Sequence, residues 1–246
     1  MPQSIACRHC QTICDDSFCP HCGQATATSR ITLREIAADV LFSFVKVNRG
    51  FLFTARELAW QPGRAIEAYL AGHRIPYYPP HKYLFLLGAV TTFLAVRYQY
   101  FKNPYPLVSN LPADANAFLN AFFQYANDYT TLINVVTTPV FALFSFLLLR
   151  NLYNYAEHLV INAYITAQQL LFLIVLVPLF EIQSARSLLL AGYTLLSVAY
   201  NAWVYRQLFQ VHTGKGWLRL VLLLILAYVS QFLLNLVVFL VIRMWQ

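Results

Sequence analysis

Charge is scarce in this chain. Asp, Glu, Lys and Arg make up 11% of its 246 residues, against about 25% in average soluble domains, which excludes an ordinary water-soluble fold. The first 30 residues hold Cys, His, Gln, Asp and Thr but no apolar run of the roughly 7–15 residues a secretory signal needs, so a cytosolic N-terminus is expected. No cysteine follows Cys22. There is no Ser/His/Asp order, no nucleophile elbow and no second carboxylate placed for acid–base work, which leaves an enzyme the least supported class. No internal repeat or low-complexity tract is apparent, and the paired short hydrophobic segments of inverted-repeat transporters are missing. What abounds is apolar: 59% of residues are hydrophobic and 16% aromatic, and the mean hydropathy is +0.54. That composition excludes disorder and suits several membrane spans.

The expected fold class is an all-α integral membrane protein of about five transmembrane helices, with a small N-terminal zinc ribbon and juxtamembrane amphipathic helices. Residues 1–24 form the cysteine-rich head and residues 25–82 the cytoplasmic or interfacial helices. The bundle covers 83–246, with spans over about 83–98, 131–149, 159–180, 188–205 and 220–242. Thr32 and Glu35 have the spacing of a capping box, with Ile31 and Ile36 as its staple. The helix that follows turns Ile36, Val40, Phe44 and Val47 to one side. Further helical pieces cover Phe51–Trp60 and Pro62 to about Gly72, with Pro just inside one end and Gly just past the other. Wide apolar faces on charged helices read as membrane-surface helices or as helices packed under the spans; a small soluble helical domain shows the same periodicity. Arg74–Lys82 is an extended aromatic hinge, because residues before proline leave the helical region. Pro112–Tyr129 reads as an amphipathic helix with Phe118, Leu119, Phe122 and Tyr125 on one side. The first span is short and leans on Tyr98, Tyr100 and Phe101.

The net charge of +7 suggests nucleic acid until it is placed along the chain. Five spans with the N-terminus inside put nine Lys/Arg before Tyr83, then Arg150, Arg206, Lys215 and Arg219, on the cytoplasmic side. Only Arg97, Lys102, Arg186 and Arg243 lie opposite. That bias predicts N-in, C-out, in the inner membrane. Six acids accompany the nine basic residues before Tyr83, so attraction to anionic lipid is favoured over nucleic acid.

Cys7-Arg8-His9-Cys10 and Cys19-Pro20-His21-Cys22 are two Cys-x2-Cys knuckles. A two-residue gap turns both thiolates of a knuckle to one ion, and four soft donors suit tetrahedral zinc. In a reducing compartment such clustering argues for metal rather than disulfides. Cys7, Cys10, Cys19 and Cys22 are the expected ligands of a structural Zn2+, which they saturate without His9 or His21. Gly23 frees the turn after the last ligand, and Cys14 is a spare thiol of the hairpin.

With these knuckles the chain carries Phe18–Gln24, Arg30-Ile31-Thr32, Asn48–Thr54, Gln61-Pro62-Gly63, Tyr69–Arg74 and Tyr155–Val160. Together they resemble a family of bacterial membrane proteins known only as a domain of unknown function. The resemblance covers most of residues 7–180 and implies a zinc-ribbon head, a surface-helix region and a multi-span membrane part. It implies no activity.

Polar residues within the spans should face the bundle interior. His158, Asn162, Thr166 and Gln169 share one helical face; Asn201 follows Thr194 and Ser197 on the next span, and Gln231 and Asn235 lie one turn apart on the last. Asn162 and Asn201 fall at about the same depth, roughly 6 Å from the cytoplasmic edge, with Glu157 and His158 above them. The set serves either as interhelical glue or as a polar pocket for an ion, lipid headgroup or small solute. The expected function is an integral membrane scaffold or adaptor whose ribbon engages a protein partner or lipid surface. The alternative is a homo-oligomeric transporter, channel or lipid-handling protein using the pocket.

Overall fold

A computed structural model describes residues 5–14, 17–25, 31–33, 36, 50–98, 112–149, 152–182 and 185–245. Glu35 of the expected capping box, the helix read through Val47, the linker 26–30, and the anchors Tyr100 and Phe101 lie outside these residues.

The chain begins with two short antiparallel strands, β1 (Ile5–Ala6) and β2 (Ile13–Cys14), with Ala6 opposite Ile13. A matching single bridge joins Phe18 to Ala25. The elements that follow among the described residues are helices: α1 (Gly50–Trp60), α2 (Pro62–Leu70), α3 (Pro80–Tyr98), α4 (Ala113–Leu149), α5 (Tyr155–Leu176), a 3-10 turn (Val177–Glu181), α6 (Arg186–Leu208) and α7 (Gly214–Met244).

Four helical stretches are long and apolar enough to cross a membrane: Thr131–Leu149, Tyr155–Phe180, Arg186–Leu208 and Gly214–Met244. Five were expected. α3 falls short because Pro80, His81, Lys82 and Arg97 dilute both ends of its apolar centre. The amphipathic stretch before the second expected span is not a separate helix but the first half of α4. Its Phe118, Phe122 and Tyr125 rings pack on Phe239 of α7 at centroid distances of 5.3, 5.3 and 5.5 Å, and no breaker separates it from the apolar half. α4 is therefore 37 residues long, roughly 55 Å at 1.5 Å per residue.

α5 is the central helix, with 67% of its apolar window buried against 22% for α6 and 17% for α7. Helices apolar on all sides and exposed around most of their girth are those that suit lipid. Trp217 and Trp245 mark the two ends of α7, 28 positions apart. That is roughly 42 Å, close to the thickness of a bilayer with its headgroups, and tryptophan favours those two interfaces.

α5 opens with a full capping box. Asn154 Oδ1 accepts from the Glu157 amide at 2.9 Å, and Glu157 Oε2 accepts from the Asn154 amide at 2.7 Å. α3 runs beside α5 in the same direction: Tyr83 contacts Tyr164 and Gln168, while Ala95 packs with Leu173 and Val177. α1 and α2 are bound to the flank of the bundle. Tyr200 donates to the Leu58 carbonyl at 2.9 Å, and Gln168 Nε2 to that of Ala55 at 3.3 Å. The hinge is gripped from both sides at Tyr78, whose amide donates to Thr54 Oγ1 at 2.7 Å and whose carbonyl accepts from Tyr164 at 2.8 Å.

Candidate functional site

The head is built twice. Cys7 donates its amide to the Thr12 carbonyl at 2.8 Å and accepts from the Gln11 amide at 2.9 Å; Cys19 does the same with Gln24 at 2.7 Å and Gly23 at 2.8 Å. Gln11 (φ 62°) and Gly23 (φ 74°) both take the left-handed conformation that closes each turn. Each turn is flanked by a strand pairing, Ala6 with Ile13 and Phe18 with Ala25. The head is thus an internal structural repeat offset by 12 residues (Cys7 to Cys19, Cys10 to Cys22), which the reading of the sequence missed. The Cys-x-His-Cys pattern recurs at this offset, with His9 aligned to His21, but Gln11/Gly23 and Thr12/Gln24 differ in type, so the backbone is what shows the repeat to extend through both turns.

The repeat turns Cys7, Cys10, Cys19 and Cys22 toward one point, with all four sulfurs within 4.8 Å of one another. Cys7 and Cys22 are 3.5 Å apart, Cys10 and Cys19 3.5 Å, and Cys10 and Cys22 3.6 Å. A tetrahedral ion with sulfur bonds of about 2.3 Å sets its sulfurs about 3.8 Å apart, so the group fits a metal ion. All five cysteines are free thiols. The Thr12 hydroxyl and then its amide hold the Cys10 thiol down to about 5, favouring the thiolate that metals need. Four thiols leave no open coordination position, so an ion here would cross-link the two turns rather than activate a substrate. Cys14 stands outside the group. It is buried, donates to the Thr12 carbonyl at 3.2 Å, and burial pushes its thiol up to about 11.

Gln24 links this head to the helices. Its carbonyl closes the second turn, and its buried side chain donates from Nε2 to the Gly72 carbonyl at 2.6 Å. Gly72 (φ 105°) is the turn that ends α2, and Arg8 adds a bond to the neighbouring Ala71 carbonyl at 3.1 Å. Ile13 and Phe18 remain exposed at 72% and 64%.

The eight polar residues of the expected pocket separate into three groups and a cap. Glu157 is engaged in the capping box. His158 and Asn162 share a buried network with Ser145 of α4 and Tyr205 of α6. His158 Nδ1 lies 2.9 Å from Ser145 Oγ, Asn162 Nδ2 donates to Ser145 Oγ at 3.0 Å, and Tyr205 donates to Asn162 Oδ1 at 2.7 Å. The His158 ring stacks on Phe209 at 5.4 Å. Gln169 and Asn201 both donate to the Ser197 carbonyl at 3.1 Å, and Asn201 also to Tyr228 at 3.0 Å. Gln231 donates to Asn134 of α4, and Asn235 to the Gln231 carbonyl at 2.9 Å. Thr166 is buried on α5, one turn after Asn162. Asn162 and Asn201 do border one crevice, with Tyr205 and Tyr228, but its volume is about 10 Å³, room for one water at most.

The sequence reading overlooked Ser145, Asn134, Tyr205 and Gln168. A signal existed for the first two: Asn134, Thr138 and Ser145 share a helical face within the Thr131–Leu149 stretch. Tyr205 served only to mark a span end. Gln168, adjacent to Gln169, points the other way and accepts from Tyr83 at 2.8 Å.

A helical bundle with four membrane-length apolar helices and a cysteine cluster fit for a metal ion defines a multi-pass membrane protein with a small N-terminal head. The family model described as "Protein of unknown function (DUF3667)" matches residues 48–92, which comprise α1, α2, the hinge and the first part of α3. That segment is similar to an uncharacterised family. No curated protein matches the chain, and no solved structure does.

Proposed function

We propose that the chain is an inner-membrane scaffold whose cytoplasmic zinc ribbon is displayed on the helical layer for a protein partner or a lipid surface. The observation that carries this reading is the double duty of Gln24. One residue closes the metal turn and fastens it to Gly72, so metal binding and head placement are coupled. Four thiol donors, with spacings near those of a zinc tetrahedron, favour a structural Zn2+. Exposed Ile13 and Phe18 offer apolar contact to a partner. A transport pathway through a single chain has little support in a crevice of about 10 Å³, and the bonded polar groups suit interhelical packing.

Five crossings, N-in and C-out, accompany this proposal. α3 leaves the side that carries α1 and α2, and runs parallel to α5 over most of its length. Such a path favours a full crossing for α3 despite its polar ends.

Elemental analysis of detergent-purified protein tests the reading. One zinc per chain is expected in the wild type and in Cys14→Ala, with loss in Cys10→Ser. Gln24→Ala should keep its zinc yet release the head, seen as faster proteolysis after residue 25 and loss of proximity-labelled neighbours. Folded protein without zinc, or unchanged labelling in Cys10→Ser, would overturn it.

A further inference from the structure

A second cavity, of about 210 Å³, lies between the hinge and α3, α4 and α5. It is some twenty times the size of the Asn162–Asn201 crevice, and it has two chemically distinct ends. Leu84, Val160 and Ala163 form a buried apolar wall, and Ile31 closes one side. Arg74 of the hinge and His81 of the first turn of α3 bring the basic groups, and among the described lining residues there is no carboxylate side chain. The Arg74 guanidinium is held over the Tyr69 ring at 5.8 Å, which aims a half-buried cation instead of leaving it to wander in solvent.

The position of the cavity decides what chemistry it suits. Its basic end lies where α3 begins, beside the first turns of α5. Its mouth is bordered by Phe85, 52% exposed, and the same side of α4 exposes Leu132 at 54% and Val136 at 62%. Leu132 and Val136 are thus exposed apolar side chains on a membrane-length helix, where they suit lipid. A water-borne solute would meet an apolar rim there, whereas an acyl chain enters such a mouth without desolvation cost. A planar guanidinium pairs well with phosphate oxygens, and an imidazole can add a donor.

We propose that this cavity binds an anionic phospholipid, with its phosphate at Arg74 and His81 and the start of one acyl chain against Leu84, Val160 and Ala163. The site is separate from both the cysteine cluster and the polar groups of the bundle. It anchors the hinge to the bilayer at the point where the interfacial helices pass into the bundle.

The test is lipid retention by native mass spectrometry. The zinc-loaded protein is equilibrated with phosphatidylglycerol and phosphatidylcholine of matched acyl chains. The wild type should retain one phosphatidylglycerol in preference to phosphatidylcholine. Arg74→Gln should cut that preference roughly fivefold, and His81→Gln should weaken it as well. Leu159→Trp, which narrows the cavity from a half-buried wall position, should reduce retention of both lipids. Zinc content and melting temperature serve as folding controls, and Arg74→Lys, expected to keep part of the preference, replaces Arg74→Gln if that variant unfolds. An absence of preference in the wild type, or an unchanged preference in variants that melt normally, would overturn the proposal. Inorganic phosphate alone raising the melting temperature as much as phosphatidylglycerol would assign a free-anion site and overturn it equally. These readouts do not depend on the ribbon's partner, so their failure leaves the scaffold reading standing.

Discussion

Asn162 is the residue on which three helices converge. Its amide nitrogen serves Ser145 of α4, and its oxygen receives Tyr205 of α6. It also donates to the His158 carbonyl at 2.8 Å. Replacing it with leucine takes the acceptor from the buried Tyr205 hydroxyl and one of several bonds from Ser145 Oγ, and a lost buried partner costs about 1–3 kcal/mol. Asn162→Leu should therefore lower the unfolding free energy in detergent by that amount. Tyr205→Phe, which removes one bond and strands one acceptor, should cost about 1 kcal/mol. The double variant should fall short of the sum, because both act on one network; additive losses would show the network to be two independent contacts. Asn201 is only half-buried whereas Asn162 is buried, so Asn201→Leu, whose stranded partners can reach water more readily, is expected to cost less than Asn162→Leu.

At the scale of elements, the seat of α2 on α6 depends on a glycine. A Cβ built on Gly63 would stand 2.4 Å from Gln207 Cβ, and the Gly63 amide donates to Gln207 Oε1 at 2.8 Å. Gly63→Ala must push the two helices apart and should destabilise by about 1–3 kcal/mol, read from thermal unfolding. Gln207→Ala should not rescue it, because alanine keeps the offending Cβ, whereas Gln207→Gly should restore part of the loss. The N-terminus of α5 offers a milder test. Glu157→Ala removes half of a capping box and should cost about 1 kcal/mol without altering metal content. α4 carries the lesson about element boundaries. Its polar half and its apolar half were read as two elements because hydropathy changes between them, yet a change of polarity does not end a helix. Only a breaker or a cap does.

For the whole molecule, charge and packing have to be weighed together. With five crossings, the nine basic residues before Tyr83 join Arg150, Arg206, Lys215 and Arg219 on one side, thirteen against four. With four crossings and α3 left out, the same nine join Arg97, Lys102, Arg186 and Arg243, which again gives thirteen against four. The positive-inside rule does not separate the two. The path of α3 along α5 favours five, and the measurable difference is the side of the C-terminus. An alkaline phosphatase fused after Gln246 should be active, and a fluorescent protein that folds only in the cytosol should be dark there. The reverse result would favour four crossings. Removal of the proposed zinc acts at this scale too. Chelation at neutral pH should loosen the head from Gly72 and raise hydrogen exchange in both, while α5 stays protected.

How much of this was legible in the sequence depends on the range over which each feature is determined. Membrane-length helices follow from runs of apolar residues, and the start of α2 from Pro62; the start of α5 at the Asn154–Glu157 capping box lies four residues ahead of the span expected from residue 159. The four clustered cysteines stand out by their spacing. All are local, set within a turn or two of chain. The sequence also displayed His158, Asn162, Gln169, Asn201, Gln231 and Asn235 as polar groups needing partners, but not which partners. A hydrogen bond between helices depends on their relative rotation and depth, and neither helix encodes that alone. Tertiary structure therefore decided that Asn162 meets Tyr205, that Gln231 meets Asn134 rather than Asn201, and that Gln24 ties the cysteine head to Gly72. It likewise decided that a cavity of about 210 Å³ opens beside Arg74 and His81, because such a volume belongs to the packing of several helices and to no single segment of the chain.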